Sequence, residues 1–79
     1  MVTVVFLGKL ADLAGATTLG LPAPLDWAQL KAALGPALAE ALDDPRNRVA
    51  VNGSLLTDKA GLQAGAGDEI ALLPPVSGG

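Results

Sequence analysis

Hydrophobic residues fill nearly every position of the first segment, Met1–Leu7, which reads MVTVVFL. Its β-branched and aromatic side chains favour a strand, and apolar residues at both alternating positions indicate a strand in the middle of a sheet. Lys9–Ala14 has the composition of a short helical turn, and Thr17–Leu21 follows as a second, weaker strand that Pro22 and Pro24 end. The start of the chain therefore predicts two strands joined by a helical turn.

Asp26 begins the clearest helical pattern. It is a good N-cap residue, and Gln29 three positions later completes a capping box. An apolar stripe with a spacing of four residues follows at Leu30, Leu34, Leu38 and Leu42. Because Gly35-Pro36 interrupts this stripe, the sequence predicts one helix to about Leu34 and a second one or two turns from Pro36 to Leu42. Trp27 is expected to pack in the core.

The second half of the chain predicts three more strand segments. Val49–Val51 is followed by Asn52-Gly53, the strongest two-residue hairpin signal, and Leu55-Leu56 continues on the far side. Glu69–Leu73 is the last strand, which Pro74-Pro75 must end because proline cannot continue a central ladder. The order predicts an α+β fold of the β-grasp (ubiquitin-like) class, with a mixed sheet covered by one main helix.

The predicted domain spans residues 1–75, and residues 76–79 are predicted to form a flexible, extended C-terminal tail. Since side chains alternate along a strand, Val5 and Leu7 face away from the helix if Val4 and Phe6 face it. The same rule places Leu73 on the outer face. Val5, Leu7 and Leu73 are therefore predicted to form an apolar docking patch at the base of the tail, unless loops of the same chain cover it.

The amino-acid composition excludes several kinds of metal-binding and catalytic site. The 79 residues include no cysteine and no histidine, which excludes the usual zinc, iron–sulfur and haem ligand sets and the common nucleophile–base pairs. The carboxylate pairs Asp43-Asp44 and Asp68-Glu69 are interpreted as a helix end and the turn before the last strand, so no metal site is predicted. Gly65-Ala66-Gly67 lacks the Lys-Ser/Thr of a phosphate-binding loop. No cofactor is expected on this chain.

The net charge restricts the classes of partner that this chain is expected to bind. Five Lys/Arg stand against eight Asp/Glu, a net charge of −3, which argues against nucleic-acid binding and would suit a partner with a basic face. Lys9, Lys31 and Lys59 are interpreted as surface lysines. No segment approaches the roughly 20 apolar residues of a membrane span, so no membrane association is predicted and a cytoplasmic location is expected.

The C-terminal segment is the most informative part of the sequence. Gly78-Gly79 makes the thinnest chain end that a polypeptide can offer, able to enter a narrow channel and present a carboxylate. Pro74-Pro75 stiffens the exit from the sheet, so that Val76-Ser77 and the glycines project outward. A frayed end of small residues is the alternative, but a stiff base with a thin tip is typical of a carrier that offers its C-terminus to another protein.

The segment Gly67–Gly79, GDEIALLPPVSGG, resembles the small sulfur-carrying subunit of molybdopterin synthase, a ubiquitin-like family. The first strand with its following turn, Val2–Gly15, and the hairpin Arg48–Leu56 are similar to the same family, so that the resemblance covers the whole chain. Its most specific part is the Gly-Asp-Glu of the last strand joined to Pro-Pro-Val-Ser-Gly-Gly. The family often has aromatic residues where this chain has Leu7 and Leu73.

The resemblance implies a function for the chain end. A ubiquitin-activating-type enzyme would use ATP to adenylate Gly79, which would then become a thiocarboxylate. The tail would thread into the large synthase subunit and pass sulfur to cyclic pyranopterin monophosphate, with the threading residues Gly78, Ser77, Val76, Pro75 and Pro74. The chain would be a protein co-substrate and not an enzyme, with the large subunit and the activating enzyme as its partners.

Three alternatives remain open from the sequence. The chain could carry sulfur for thiamine or tRNA thiolation, or it could be a ubiquitin-like modifier whose Gly-Gly is attached to lysines. It could also be a plain structural domain in which the Gly-Gly is incidental.

Overall fold

The computed structural model describes residues 1–75, and the predicted threading residues Val76 to Gly79 lie outside the described residues. The described chain contains seven strands and three helices. The strands are β1 (Val2–Phe6), β2 (Thr18–Leu21), β3 (Leu25–Asp26), β4 (Arg48–Val51), β5 (Ser54–Leu55), β6 (Gln63–Ala64) and β7 (Glu69–Leu73). The helices are α1 (Lys9–Ala14), α2 (Trp27–Leu34) and α3 (Pro36–Asp43), and a 3₁₀ turn covers Lys59–Gly61.

Five strands form one mixed sheet in the order β2-β1-β7-β4-β5. β1 and β7 are parallel, with Thr3 opposite Glu69 and Phe6 opposite Leu72, and the other neighbouring pairs are antiparallel. The last strand therefore lies in the middle of the sheet, between the first strand and the hairpin. This order confirms the predicted β-grasp fold.

The helices pack on one face of this sheet. Burial alternates along β1 and β7, as predicted, so that Val4, Phe6 and Leu72 face inward. The largest fully buried side chains come from both layers and from the loop before β6: Leu30, Leu42, Leu62, Ile70, Leu72, Val2, Val4 and Val49. No helix in the described part of the chain has the length and apolar character needed to cross a membrane.

The helical layer follows the sequence signals closely. Asp26 Oδ1 accepts a hydrogen bond from the Gln29 amide at 2.8 Å, and Gln29 Oε1 accepts one from the Asp26 amide at 2.9 Å, which confirms the capping box. Gly35 has a φ of 92° and separates α2 from α3, with Pro36 at the start of α3. Gly35-Pro36 thus divides the helical region as predicted, and two helices of eight residues each cover the sheet in place of one main helix.

The two-stranded sheet formed by β3 and β6 was not predicted. Leu25 lies opposite Ala64 in this pair, and both side chains are buried. Two residues are too few to show an alternating pattern, so only the tertiary structure reveals the pairing.

The interpretation of Lys59 as a surface lysine was wrong. Its ammonium group is held beneath the end of α3, where it donates hydrogen bonds to the backbone carbonyls of Leu42, Asp44 and Asn47. The first two are carbonyls of the kind that a helix end leaves without a partner, and the third belongs to the residue before β4. The same ammonium lies 5.7 Å from the centre of the buried Trp27 ring.

Lys31 is likewise engaged at the Trp27 ring. Its ammonium lies 5.6 Å from the ring centre and 2.9 Å from Asp43 Oδ1, and the residue is half-buried. Lys9, in contrast, is exposed, as predicted. Two of the three lysines therefore serve the packing around Trp27.

Candidate functional site

The central position of β7 fixes the point at which the chain leaves the sheet. Leu73 is paired with Arg48 on one side, and on the other the Leu7 amide donates a hydrogen bond to the Leu72 carbonyl at 3.3 Å. Pro74 follows and is half-buried, whereas Pro75 is exposed. The base of the predicted tail is therefore held by both neighbouring strands up to Pro74.

Gly8 contacts this base directly. Its φ of 54° and ψ of −129° belong to a region of backbone space that favours glycine, and a Cβ added there would lie 3.0 Å from Pro74 Cγ. Pro74 can pack here only because residue 8 has no side chain. Sequence reasoning missed Gly8, because its importance depends on the parallel pairing of β1 with β7.

Replacing Gly8 with alanine is expected to destabilise the domain by about 1–3 kcal/mol and to displace Pro74. Urea unfolding measures the first effect, and the NMR chemical shifts of Pro74 measure the second. Gly61→Ala is the matched control, because Gly61 has an ordinary φ and no atom within 4 Å of an added Cβ. The control should change stability by no more than about 0.5 kcal/mol. Equal effects of the two substitutions would contradict this role of Gly8.

The residues of the predicted apolar patch lie in two adjacent parallel strands, Val5 in β1 and Leu73 in β7, with Leu7 directly after β1. Leu7 is 41% exposed, so loops do not cover it, whereas Val5 and Leu73 are half-buried. Leu55, which sequence reasoning missed, is 56% exposed on the same face. Small residues (Ala50 and Ala71) lie between these larger side chains and leave the face flat. The docking role of Val5, Leu7 and Leu73 stays a prediction.

A groove of about 660 Å³ runs beside the tail base on the hairpin side. We call it the tail-base groove, and its lining residues are Pro45, Arg46, Arg48, Leu55, Leu73, Pro74 and Pro75. A second depression on the α1 side of Pro74 and Pro75 is lined in part by Lys9 and again by Arg46. Cations thus flank the tail base on both sides. We call Lys9, Arg46 and Arg48 the basic collar.

The Arg46 guanidinium forms an ion pair with Asp44, with 2.8 Å between Nη2 and Oδ2. Hydrogen bonds from the Arg46 side chain and backbone lower the pKa of Asp44 to about 2, and the side-chain bond raises the pKa of Arg46. The Arg46 side chain nevertheless remains 75% exposed. Arg48 is also exposed and has no ion pair with a carboxylate of residues 1–75.

Asp68 ties the start of β7 to the hairpin. Its carboxylate accepts hydrogen bonds from the Gly65 amide at 2.8 Å and from Asn52 Nδ2 at 3.0 Å, and these bonds lower its pKa. Asn52 Oδ1 in turn accepts a bond from the Glu69 amide at 2.9 Å. Asp68 is therefore part of the turn before β7, as interpreted from the sequence. Within residues 1–75 no group of three or more acidic side chains is placed to hold a metal ion.

Solved structures of other proteins are similar to this chain over almost its full length. The crystal structure of SAMP1 from Haloferax volcanii has 31% identity and a TM-score of 0.72, with 99% of this chain and 98% of that chain covered. The solution structure of small archaeal modifier protein 1 from Methanosarcina acetivorans has 25% identity and a TM-score of 0.76, with coverages of 99% and 95%.

A third similar structure belongs to a complex. It is the protein–protein complex of subunits 1 and 2 of molybdopterin-converting factor from Helicobacter pylori, with 30% identity and a TM-score of 0.67. The match covers 99% of this chain and 97% of that chain. No curated protein matches this chain by sequence.

The sequence pattern of one family matches almost the full chain. The matched segment covers residues 4–79, from the third residue of β1 to Gly79, and carries the description ThiS family. This result and the similar structures confirm the resemblance to ubiquitin-like carriers that the sequence indicated. The chain belongs to the ThiS family.

Proposed function

We propose that the chain is the sulfur-carrying small subunit of molybdopterin synthase. The Gly79 carboxylate attacks the α-phosphorus of ATP on a ubiquitin-activating-type enzyme, which releases pyrophosphate. A nucleophilic sulfur at the oxidation level of sulfide then attacks the acyl-adenylate carbonyl, displaces AMP and leaves a thiocarboxylate. The large subunit uses two such sulfur atoms, delivered by two thiocarboxylated carriers, to convert cyclic pyranopterin monophosphate to the dithiolene of molybdopterin, and each carrier returns to the Gly79 carboxylate.

The position of the tail base is the observation that carries this proposal. Because β7 lies in the middle of the sheet and Pro74 packs on Gly8, the chain leaves the domain at a defined point. Exposed apolar side chains, Leu7 and Leu55, lie on the outer face beside this point. A partner that docks on this face would therefore receive the last residues in a fixed direction.

The identity of the partner is supported by one similar structure. The Helicobacter pylori chain that this protein resembles belongs to a complex of two subunits of molybdopterin-converting factor. We infer a corresponding large subunit that docks on Val5, Leu7 and Leu73 and takes Gly78-Gly79 into its active site. The side chains for the chemistry belong to the partners, and the chain acts as a co-substrate in the cytoplasm.

The amino-acid composition is consistent with catalytic side chains that belong to the partners and not to this chain. The chain has no cysteine, so a transferable sulfur has no side-chain thiol to occupy. A thiocarboxylate on Gly79 needs neither cysteine nor histidine in the carrier. ATP would be bound by the activating enzyme, since no phosphate-binding loop is present in this sequence.

A second candidate, a ubiquitin-like protein modifier, is favoured by the two archaeal structures described as modifier proteins. Activation by ATP would be the same. The Gly79 acyl group would then pass to a lysine amine and form an isopeptide bond, with no sulfur retained.

Mass spectrometry of the chain produced together with its own activating enzyme tests these functions. We expect a mass change equal to the replacement of one oxygen by sulfur, confined to the C-terminal peptide. Co-purification with a large synthase subunit would then separate molybdopterin synthesis from thiamine or tRNA thiolation. Conjugation to lysines without any sulfur-containing C-terminus would contradict the carrier function and support the modifier.

A further inference from the structure

The charges of this acidic chain are distributed unevenly around the tail base. Of its five cations, Lys31 and Lys59 are engaged at the Trp27 ring, and the other three form the basic collar. Asp44 is the one carboxylate among the described residues that line the two depressions, and it is paired with Arg46. The surface around the tail base is therefore positive, although the net charge of the whole chain is −3.

The collar retains unused hydrogen-bond donors. Arg46 uses Nε and Nη2 toward Asp44, which leaves Nη1 available to a second acceptor. Arg48 lies opposite Leu73 at the edge of the tail-base groove and makes no ion pair within the described chain. Guanidinium groups of this kind bind carboxylates with two parallel hydrogen bonds.

The floor of the groove is apolar. Leu55, Leu73 and three prolines supply the apolar part of its lining, and the two arginines supply the charged part. An apolar side chain from a partner can be buried here. The two arginines then determine which charges on the partner surface around that side chain are favourable. A carboxylate at the rim would be attracted, and a lysine or arginine would be repelled.

We propose that the tail-base groove binds an acidic surface of the enzyme that activates the C-terminus, with an apolar side chain on Leu55 and Leu73 and carboxylates on Arg46 and Arg48. This inference rests on the proposed activation of Gly79 and names the chemistry of the partner surface. The partner surface inferred here is acidic, whereas the net charge alone would suit a partner with a basic face. The separation of charge within the carrier also turns its tail base toward an acidic partner before contact.

The test is pyrophosphate exchange into ATP, catalysed by the activating enzyme of the same organism and measured against carrier concentration. Arg48→Gln is expected to raise KM about tenfold with kcat unchanged, because a rim charge acts on association. Arg48→Lys should retain most of the affinity. The KM of the wild-type carrier should rise with salt more steeply than that of Arg48→Gln.

Ala33→Glu is the matched control, since it gives the same net charge of −4 as Arg48→Gln but lies on the exposed surface of α2. It should leave KM within about twofold, as expected for a charge away from the interface. An equal KM for the two variants, or a lower KM for Arg48→Gln, would overturn the inference and leave the proposed function standing. Absence of exchange with the wild-type carrier at every salt concentration would overturn both.

Discussion

Deletion of Gly79 is expected to abolish sulfur transfer while leaving the unfolding temperature of the domain unchanged. The shortened chain would present its carboxylate about 3.5 Å from the reactive position. A displacement of about 1 Å can already reduce the rate of a positioned reaction about 100-fold, so a loss of at least that size is expected. The core side chains of the described chain all lie between Val2 and Leu72, so the deletion removes none of them.

Single-turnover formation of molybdopterin with the large subunit would measure the loss, and thermal unfolding would measure the stability. A second variant of full length, with Gly79 carrying a C-terminal amide, separates position from chemistry. It keeps the reach of the tail but removes the oxygen that ATP must activate, and it should be equally inactive. Full activity of either form would exclude the Gly79 carboxylate as the reactive group.

Leu72→Ala is expected to lower the free energy of unfolding by about 2–5 kcal/mol, the usual range for a buried leucine. Leu72 is fully buried in β7, between β1 and β4. A domain of this length has a total stability of about 4–12 kcal/mol, so this single cavity could leave much of the population unfolded at growth temperature. Urea unfolding followed by circular dichroism measures the loss.

Leu13→Ala makes the same chemical change on the surface. Leu13 lies in α1 and is 50% exposed, and alanine is the better helix former. The control should change the free energy of unfolding by no more than about 0.5 kcal/mol. Similar losses in the two variants would show that burial in the central strand does not determine the effect.

Local signals predicted most elements of the fold correctly. The capping box at Asp26, the break at Gly35 and the alternation along β1 depend on residues within a few positions of each other, and all three are present. The β3–β6 pair was missed because each strand has only two residues. The role of Lys59 was missed because its partners are backbone carbonyls 12 to 17 positions earlier in the chain.

Some residues of the candidate site could likewise be predicted from the sequence, and others could not. Val5, Leu7 and Leu73 could be placed on the outer face from alternation alone, but Gly8, Leu55 and the basic collar could not. Gly8 meets Pro74 only because β7 lies parallel to β1, and Arg48 meets Leu73 only because β4 lies on the other side of β7. The hairpin signal at Asn52-Gly53 indicates the hairpin but not the strand beside it.

The sequence by itself determined most of the secondary structure, the absence of thiol and imidazole chemistry, and the glycine end that carries the proposed reaction. These properties depend on residue types and on short spacings along the chain, and both can be read directly from the sequence. The tertiary structure alone decided that three of the five cations of an acidic chain lie around the tail base. Charge is counted along the sequence, but the field at a surface depends on which strands lie side by side, and that order is set by burial of the whole core.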